Sequence, residues 1–360
     1  MSKLKLYLII AGVLLLTVIG FTSLRSARPI VELKAETLVD IGPFPLTNTI
    51  LTSWIVIVLL GLLFYFATRR MSLIPRGIQN FAETVLEAFY NLVVQTVGEK
   101  HGRRFFPVVC TIFLYVVTAN WLGLCPTVAT VGKVEPMESH GEVLEKGVVF
   151  DQVAGMNVVM PGVPSWPPHE PESITLDLPA DATEEDKVAA LEEATKDLGP
   201  DQKAGLLVPF FRSVNTDLNG PLALAIMSAI FVEFWGISTL GFFRYGSKFF
   251  NVKRLLKGDI FNGLIDFIVG ILEFVAELAR LLSFTFRLFG NIFAGEILFL
   301  VIIFMLPVLA LDLVYGLELF VGLIQAFIFA MLTLVFGIVA VTSHEEHETE
   351  ASEPGPMVPP

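Results

Sequence analysis

A chain of 360 residues that is 54% hydrophobic and carries 31 Phe, with a mean hydropathy of +0.70, is no ordinary soluble domain; by composition it is a membrane protein. Its net charge of −12 is concentrated, because residues 127–216 hold 16 Asp/Glu against 6 Lys/Arg and the remainder is near neutral, with no basic face for nucleic acid. No Walker-type glycine loop and no nucleophile beside a base occurs, so no nucleotide chemistry is expected from the chain itself.

Residues 6–22 (LYLIIAGVLLLTVIGFT) lie between Lys3/Lys5 and Arg25/Arg28 and read either as a cleaved export signal or as a short anchor helix. In both cases the segment that follows begins outside. Residues 49–68 form a full-length span, closed by Arg69 and Arg70, which mark the cytoplasmic side. The stretch 75–98 repeats apolar residues at helical period (Ile78, Phe81, Val85, Phe89, Leu92) opposite Gln79, Asn80, Glu83, Glu87 and Asn91. An interfacial amphipathic helix is expected there. Residues 105–125 return to the outside and carry one strong polar group, Asn120, suited to a helix–helix hydrogen bond. Cys110 and Cys125 stand fifteen residues apart in this run, about 22 Å along a helix, and cannot bond to each other.

The acidic, proline-rich loop 127–216 is too long for a turn and is expected to form a small extramembrane subdomain on the outer face. A short helix is expected from Thr183 to Leu198, opened by a capping box between Thr183 and Asp186. Residues 219–243 cross inward with Glu233 in the middle, a functional candidate or a counter-charge for a neighbouring helix. Arg244, Lys248, Lys253, Arg254 and Lys257 then give the strongest positive-inside signal in the chain.

From Asp259 to Leu306 the pattern stays helical for more than forty residues, about twice what a perpendicular span needs. Either two short helices break at Gly290 or one long helix crosses at a tilt; parity favours the second, since it leaves the polar end SHEEHETE inside. On this helix Glu273, Glu277, Arg280, Arg287 and Asn291 fall within about 80° of one another, a polar seam in an apolar wall. Ionisable groups at mid-bilayer cost about 2.5–3.5 kcal/mol each by insertion scales, so the seam must face protein or water. Glu277 stands three residues from Arg280 and can neutralise it. The neighbours of Arg287 at three and four residues are Phe284, Ser283, Gly290 and Asn291, so its counter-charge must come from another helix or another chain. Arginine does not shed its proton. Arg287 is then either a structural cation tied to carbonyls or a buried acid, or a fixed positive post beside a path for ions.

In the last apolar run, 309–342, Glu318 and Gln325 are seven residues apart and share a face, with Asp312 nearer the outer end. All five histidines lie outside the apolar spans, and His344 and His347 with Glu345 and Glu346 read as a solvated tail. No metal and no cofactor is expected.

The fold class expected is all-α and polytopic, with about five to six membrane helices including a long tilted helical hairpin, plus the interfacial helix. The parts are an N-terminal signal or anchor segment, 1–30; the first membrane helices, 31–126, with the interfacial helix 75–98; the acidic insertion, 127–216; the membrane helices of the polar path, 217–348; and a polar tail, 349–360.

The runs RLFGNIFAGE at 287–296 and IQAFIFAMLTLVF at 324–336, with the tail SHEEH, resemble subunit a of the F-type ATP synthase, the stationary membrane subunit beside the rotating c-ring. The resemblance covers residues 40–126 and 217–348 in order and topology; it says nothing of residues 1–30 or of the loop 127–216, where a short connection is usual. It implies that Arg287 is the essential arginine, that Asn291 and Glu296 are its neighbours in the same motif, and that Gln325 faces the arginine from the last helix. It implies a role in proton passage for Glu318, where relatives carry histidine or an acid, and for Glu273 toward the cytoplasmic end. Glu296 and Glu318 would line an access half-channel from outside; Glu273, Glu277 and Ser283 would line an exit, with Glu233 and Asn120 as accessory groups. The implied partners are c-ring subunits, the peripheral-stalk subunit b and the rest of the F1Fo complex, in a bacterial plasma membrane with the C-terminus cytoplasmic. Glu296 lies nine residues from Arg287, about 180° around an ideal helix, and should point back into the bundle. The competing reading is an ion-coupled secondary transporter with a buried charged seam, against which stands the lack of an internal repeat. A non-transporting scaffold gives no reason for the arginine.

Overall fold

The computed structural model describes residues 12, 35–41, 44–125, 131–139, 142–143, 146–153, 156–158, 173–176, 183–246, 260–305 and 309–342. The N-terminal apolar segment apart from residue 12, the basic loop 247–259, and the tail with His344 and His347 lie outside the described residues. The chain runs β1 (Thr37–Ile41), β2 (Phe44–Thr47), α1 (Asn48–Thr68), α2 (Ile78–Gly123), β3 (Gly132–Pro136), β4 (Glu138–Ser139), β5 (Glu142–Val143), β6 (Lys146–Val153), β7 (Met156–Val158), β8 (Ser173–Thr175), α3 (Glu184–Thr195), β9 (Gln202–Pro209), a 3-10 turn (Val214–Thr216), α4 (Asn219–Leu240), α5 (Phe242–Gly246), α6 (Ile260–Met305) and α7 (Leu309–Val341). Four helices among the described residues are long and apolar enough to cross a membrane: Asn48–Thr68, Ile78–Gly123, Asn219–Leu240 and Leu313–Val341. The long helix α6 is unbroken, and Gly290 does not interrupt it.

The chain divides into two compact units. The first comprises residues 1–55, 119–217 and 290–322. Within it the insertion forms an antiparallel sheet in the order β3-β9-β6-β7, with β8 also on β6. The insertion is expected from its residues to be a subdomain with one helix and no strands, so the sheet is an addition to the expected all-helical architecture. Strand pairing across a gap such as Gly132 to Pro209 leaves little local trace. The expected helix is present, narrower at both ends, with the Thr183–Asp186 capping box formed. Its Val188 and Leu191 pack on Met137, Val149, Ile174 and Leu176, a small core that the insertion makes for itself.

The second unit comprises residues 56–118, 218–289 and 323–360. Gly98, at φ 77°, takes a left-handed conformation that suits glycine and no branched residue; it divides α2 where the amphipathic stretch ends. Phe89 stacks on Phe113 with centroids 4.7 Å apart, although a straight helix would hold residues so separated about 36 Å apart. The two arms therefore fold back on each other. Phe105 stacks on Trp235 at 4.2 Å, and Val93, Val109, Val232, Ala330 and Leu334 complete a core shared by α2, α4 and α7. Gly337 lets the Trp235 indole lie against α7, since a Cβ there would stand 2.8 Å from the ring. Ser228 and Thr333 add a buried hydroxyl pair at 2.8 Å.

Candidate functional site

Each unit holds its own group of sequence-selected residues. In the second unit Arg287 is exposed on α6. It makes a long hydrogen bond from Nη2 to Ser283 Oγ, 3.5 Å, and its Cζ lies 6.0 Å from the centroid of the Phe284 ring. Among the described residues no carboxylate pairs with it. Exposed neighbours on the same part of the helix are Ala276, Ala279 and Ser283 with Leu282 and Phe286. The guanidinium thus stands at the edge of an apolar, partly small-residue surface. Gln325 on α7 is half-buried and makes no hydrogen bond to Arg287 among the described residues.

Arg280 has a contact that its helical spacing does not announce. The guanidinium lies over the Phe336 ring, 3.9 Å from its centroid. This is a cation–π contact that a neighbouring helix supplies and helical spacing cannot reveal. Arg280, Glu277 and Glu233 line a cavity of about 30 Å³ with Ser228, Phe284 and Phe336, enough for a water molecule. Glu233 and Glu277 thereby share one polar space, and Glu273 sits half-buried on the same helix. Tyr245 on α5, which the sequence reading does not select, is the fourth group here. Burial, and then the nearby carboxylates of Glu233 and Glu277, push its phenol far above the ordinary tyrosine range, with Arg280 opposing. Its ring rests against Gly236, where a side chain would collide with it.

In the first unit the centre is a buried polar knot at the end of β9. Asn48 Nδ2 donates to the Pro209 carbonyl at 3.3 Å, and Thr52 Oγ1 accepts the Arg212 backbone N–H at 3.2 Å. The Arg212 side chain grips Glu296 of α6 with two bonds, Nε to Oε1 at 3.3 Å and Nη2 to Oε2 at 3.2 Å. Thr49 Oγ1 donates to Asp217 Oδ2 at 3.2 Å. Asn120 donates to the Gly322 carbonyl at 2.9 Å, an interhelical bond of the kind its sequence context suggests, and accepts from Asn215 Nδ2 at 2.7 Å. Glu318 is buried at 7% exposure, its carboxylate seated on Gly295, where a Cβ would collide with it. Asn291 is exposed on α6.

Arg212, Asn215 and Tyr245 are among the members that could not be picked from the sequence, as are Asn48, Thr49, Thr52 and Asp217 of the knot. Arg212 left one signal: it is the last cation before the apolar helix that begins at Asn219, a position where a cation sits at the edge of a bilayer. Among the described residues no group of three or more His, Cys, Asp and Glu is placed to hold a metal ion.

Apolar helices of spanning length, with one long helix bearing a line of charge among them, define a polytopic helical membrane protein. Comparison with known proteins narrows this. The ATP synthase A chain family matches residues 50–337, and the chain belongs to that family. It is 25% identical over 296 residues to the ATP synthase subunit a of Moorella thermoacetica, covering 82% of this chain and 91% of the relative. It is 26% identical over 309 residues to that of Gloeobacter violaceus, covering 86% and 89%. A shorter stretch of 79 residues, 22% of this chain and 34% of the relative, reaches 44% identity to the subunit of Trichlorobacter lovleyi. Family membership gives the chain a stator role in the membrane sector of an ATP synthase, in a subunit that is not itself catalytic.

Proposed function

We propose that this chain carries the proton path of the stator, delivering protons to and from carboxylates on a c-ring past the fixed charge of Arg287. The observation that carries the reading is the position of Arg287, a permanent cation on an exposed apolar helix surface with no carboxylate partner among the described residues. A charge so placed needs its counter-ion from another subunit, and a rotor carboxylate meets the need. Ala276, Ala279 and Ser283 beside it favour close approach of a partner helix, since small side chains let backbones come together in lipid.

The mechanism follows from electrostatics. A cation nearby favours the ionised form of an approaching carboxylate, so a rotor site releases its proton at Arg287. The same cation repels a free proton, which keeps the two half-paths from short-circuiting and routes transport through rotation. Glu296, Glu318 and Asn291 belong to access from outside; Glu233, Glu273, Glu277 and Ser283 belong to release toward the cytoplasm, with Gln325 facing the arginine and Asn120 supporting the access side. The cavity beside Glu233 and Glu277 supports that grouping. The partners are c-ring subunits, the peripheral-stalk subunit b and the F1 head, in a bacterial plasma membrane with the C-terminus cytoplasmic.

The test is Arg287→Ala in the whole complex, followed by ATP-driven proton pumping and ATP synthesis in membrane vesicles. The expected result is an assembled complex with both activities lost. An assembled complex that still pumps and synthesises ATP overturns the reading.

A further inference from the structure

The proton-path reading assigns work to two carboxylates on the access side, Glu296 and Glu318, and the structure treats them very differently. Glu296 is held at both carboxylate oxygens by one edge of a guanidinium, at 3.2 and 3.3 Å. The pair is largely sequestered, with side-chain exposures of 9% for Arg212 and 26% for Glu296. A bidentate grip of this sort fixes orientation as well as charge. Glu318 is buried, and among the described residues it has neither a cation nor a hydrogen-bond partner; its carboxylate rests on Gly295, the residue before Glu296.

The grip has a firm base. Arg212 stands three residues beyond the end of β9, whose last carbonyl, that of Pro209, is held by Asn48. Its own backbone N–H is held by Thr52, and the 3-10 turn after it carries Asn215, which is fully buried and bonded to Asn120. The guanidinium is therefore presented from a backbone tied on both sides, and β9 is the strand that closes the insertion.

We propose that Arg212 is a positioning residue of the access path: it holds Glu296 as a fixed wall, leaves Glu318 as the group through which the proton passes, and ties that path to the acidic insertion. This rests on the proton-path reading above. A carboxylate held at both oxygens by a permanent cation cannot leave its place or change partner without giving up those two bonds. Glu318 faces no such loss. Removing one partner of a buried pair costs more than removing both, because it leaves an uncompensated charge. The two acids therefore separate by their response to paired substitution.

The experiment uses the complete complex in inverted vesicles and measures ATP-driven proton pumping, with copurification of the c-ring as the check on assembly. Arg212→Gln is expected to lower pumping about tenfold, and Arg212→Lys, which keeps the charge, to retain about half. Adding Glu296→Gln to Arg212→Gln is expected to restore pumping to within about twofold of Glu296→Gln alone. Glu318→Gln is expected to stop pumping in every background. Should Arg212→Gln fail to assemble, the double variant is expected to assemble, since it leaves no Glu296 carboxylate without its guanidinium. A double variant no better than Arg212→Gln, a lysine variant as poor as the glutamine one, or a Glu318→Gln complex that pumps, overturns the proposal. Arg287→Ala run alongside separates the two levels. If Arg287→Ala still pumps, the proton-path reading itself fails; if it stops pumping and the Arg212 variants break the pattern, only the present assignment fails.

Discussion

Removing the Asn120 side chain tests whether the buried polar knot is what holds the first unit together. Asn120 is 3% exposed and Asn215 is 0% exposed, so water cannot replace what is lost. Asn120→Ala deletes two bonds, to the Gly322 carbonyl at 2.9 Å and from the Asn215 amide at 2.7 Å. The Gly322 carbonyl belongs to α7 and keeps its helical surroundings, so its loss is about 1 kcal/mol, while a stranded buried amide costs about 1–3 kcal/mol. Side-chain bonds inside membrane proteins average lower, about 0.6 kcal/mol with a maximum near 1.7. The expected destabilisation is therefore about 2 kcal/mol, from two bonds and one stranded donor. Thermal unfolding of the purified chain in detergent reads it, alone and in a cycle with Asn215→Ala. The coupling in that cycle should be about 1 kcal/mol, since the pair shares one bond. A loss under about 0.5 kcal/mol for Asn120→Ala, or no coupling to Asn215→Ala, would refute the reasoning.

Gly337→Leu should destabilise the second unit by about 1–3 kcal/mol through overpacking, because even a Cβ at this position stands 2.8 Å from Trp235 and 3.5 Å from Phe105; reduced yield and a lower unfolding temperature check it, against Gly316→Leu, where the Cβ meets nothing within 4 Å. The cap of α3 should depend on pH. Hydrogen bonds from the Thr183 side chain, and then from its backbone, lower the Asp186 pKa below its ordinary 3.8. A carboxylate depressed on folding contributes stability that is complete above its unfolded pKa and disappears as pH falls through the folded one. Amide exchange at the start of α3 should accordingly be constant near neutrality and rise, beyond the intrinsic acid dependence, only below about pH 4; Asp186→Asn should remove that acid-range change.

Several local features could be read directly from the residues. The Thr183–Asp186 capping box, the end of the amphipathic helix at Gly98, and the absence of a same-helix acid for Arg287 all depend on neighbours within a turn or so. The spacing that suits Glu277 to Arg280 is equally local, but the Phe336 ring of α7 that lies against Arg280 could not be read from it. Spacing shows which groups on one helix can meet and not which others arrive from elsewhere. The insertion sheet was hidden for the same reason in larger form: β3 pairs with β9, and nothing near Gly132 announces Pro209. Arg212 stood in an acidic, proline-rich stretch with no motif around it, so only its place just ahead of an apolar helix hinted at use.

The sequence by itself determined that the chain lives in a membrane and that Arg287 requires a partner beyond its own helix. Both follow from desolvation, since apolar runs of that length belong in lipid and a cation that cannot be neutralised does not stay there alone. Only the tertiary structure decided which acid is occupied: it sets Arg212 against Glu296 and leaves Glu318 on the small surface of Gly295. Such choices depend on which side chains are within about 3 Å of each other in a low-dielectric space, and residues 84 apart in the chain reach that distance only through the fold.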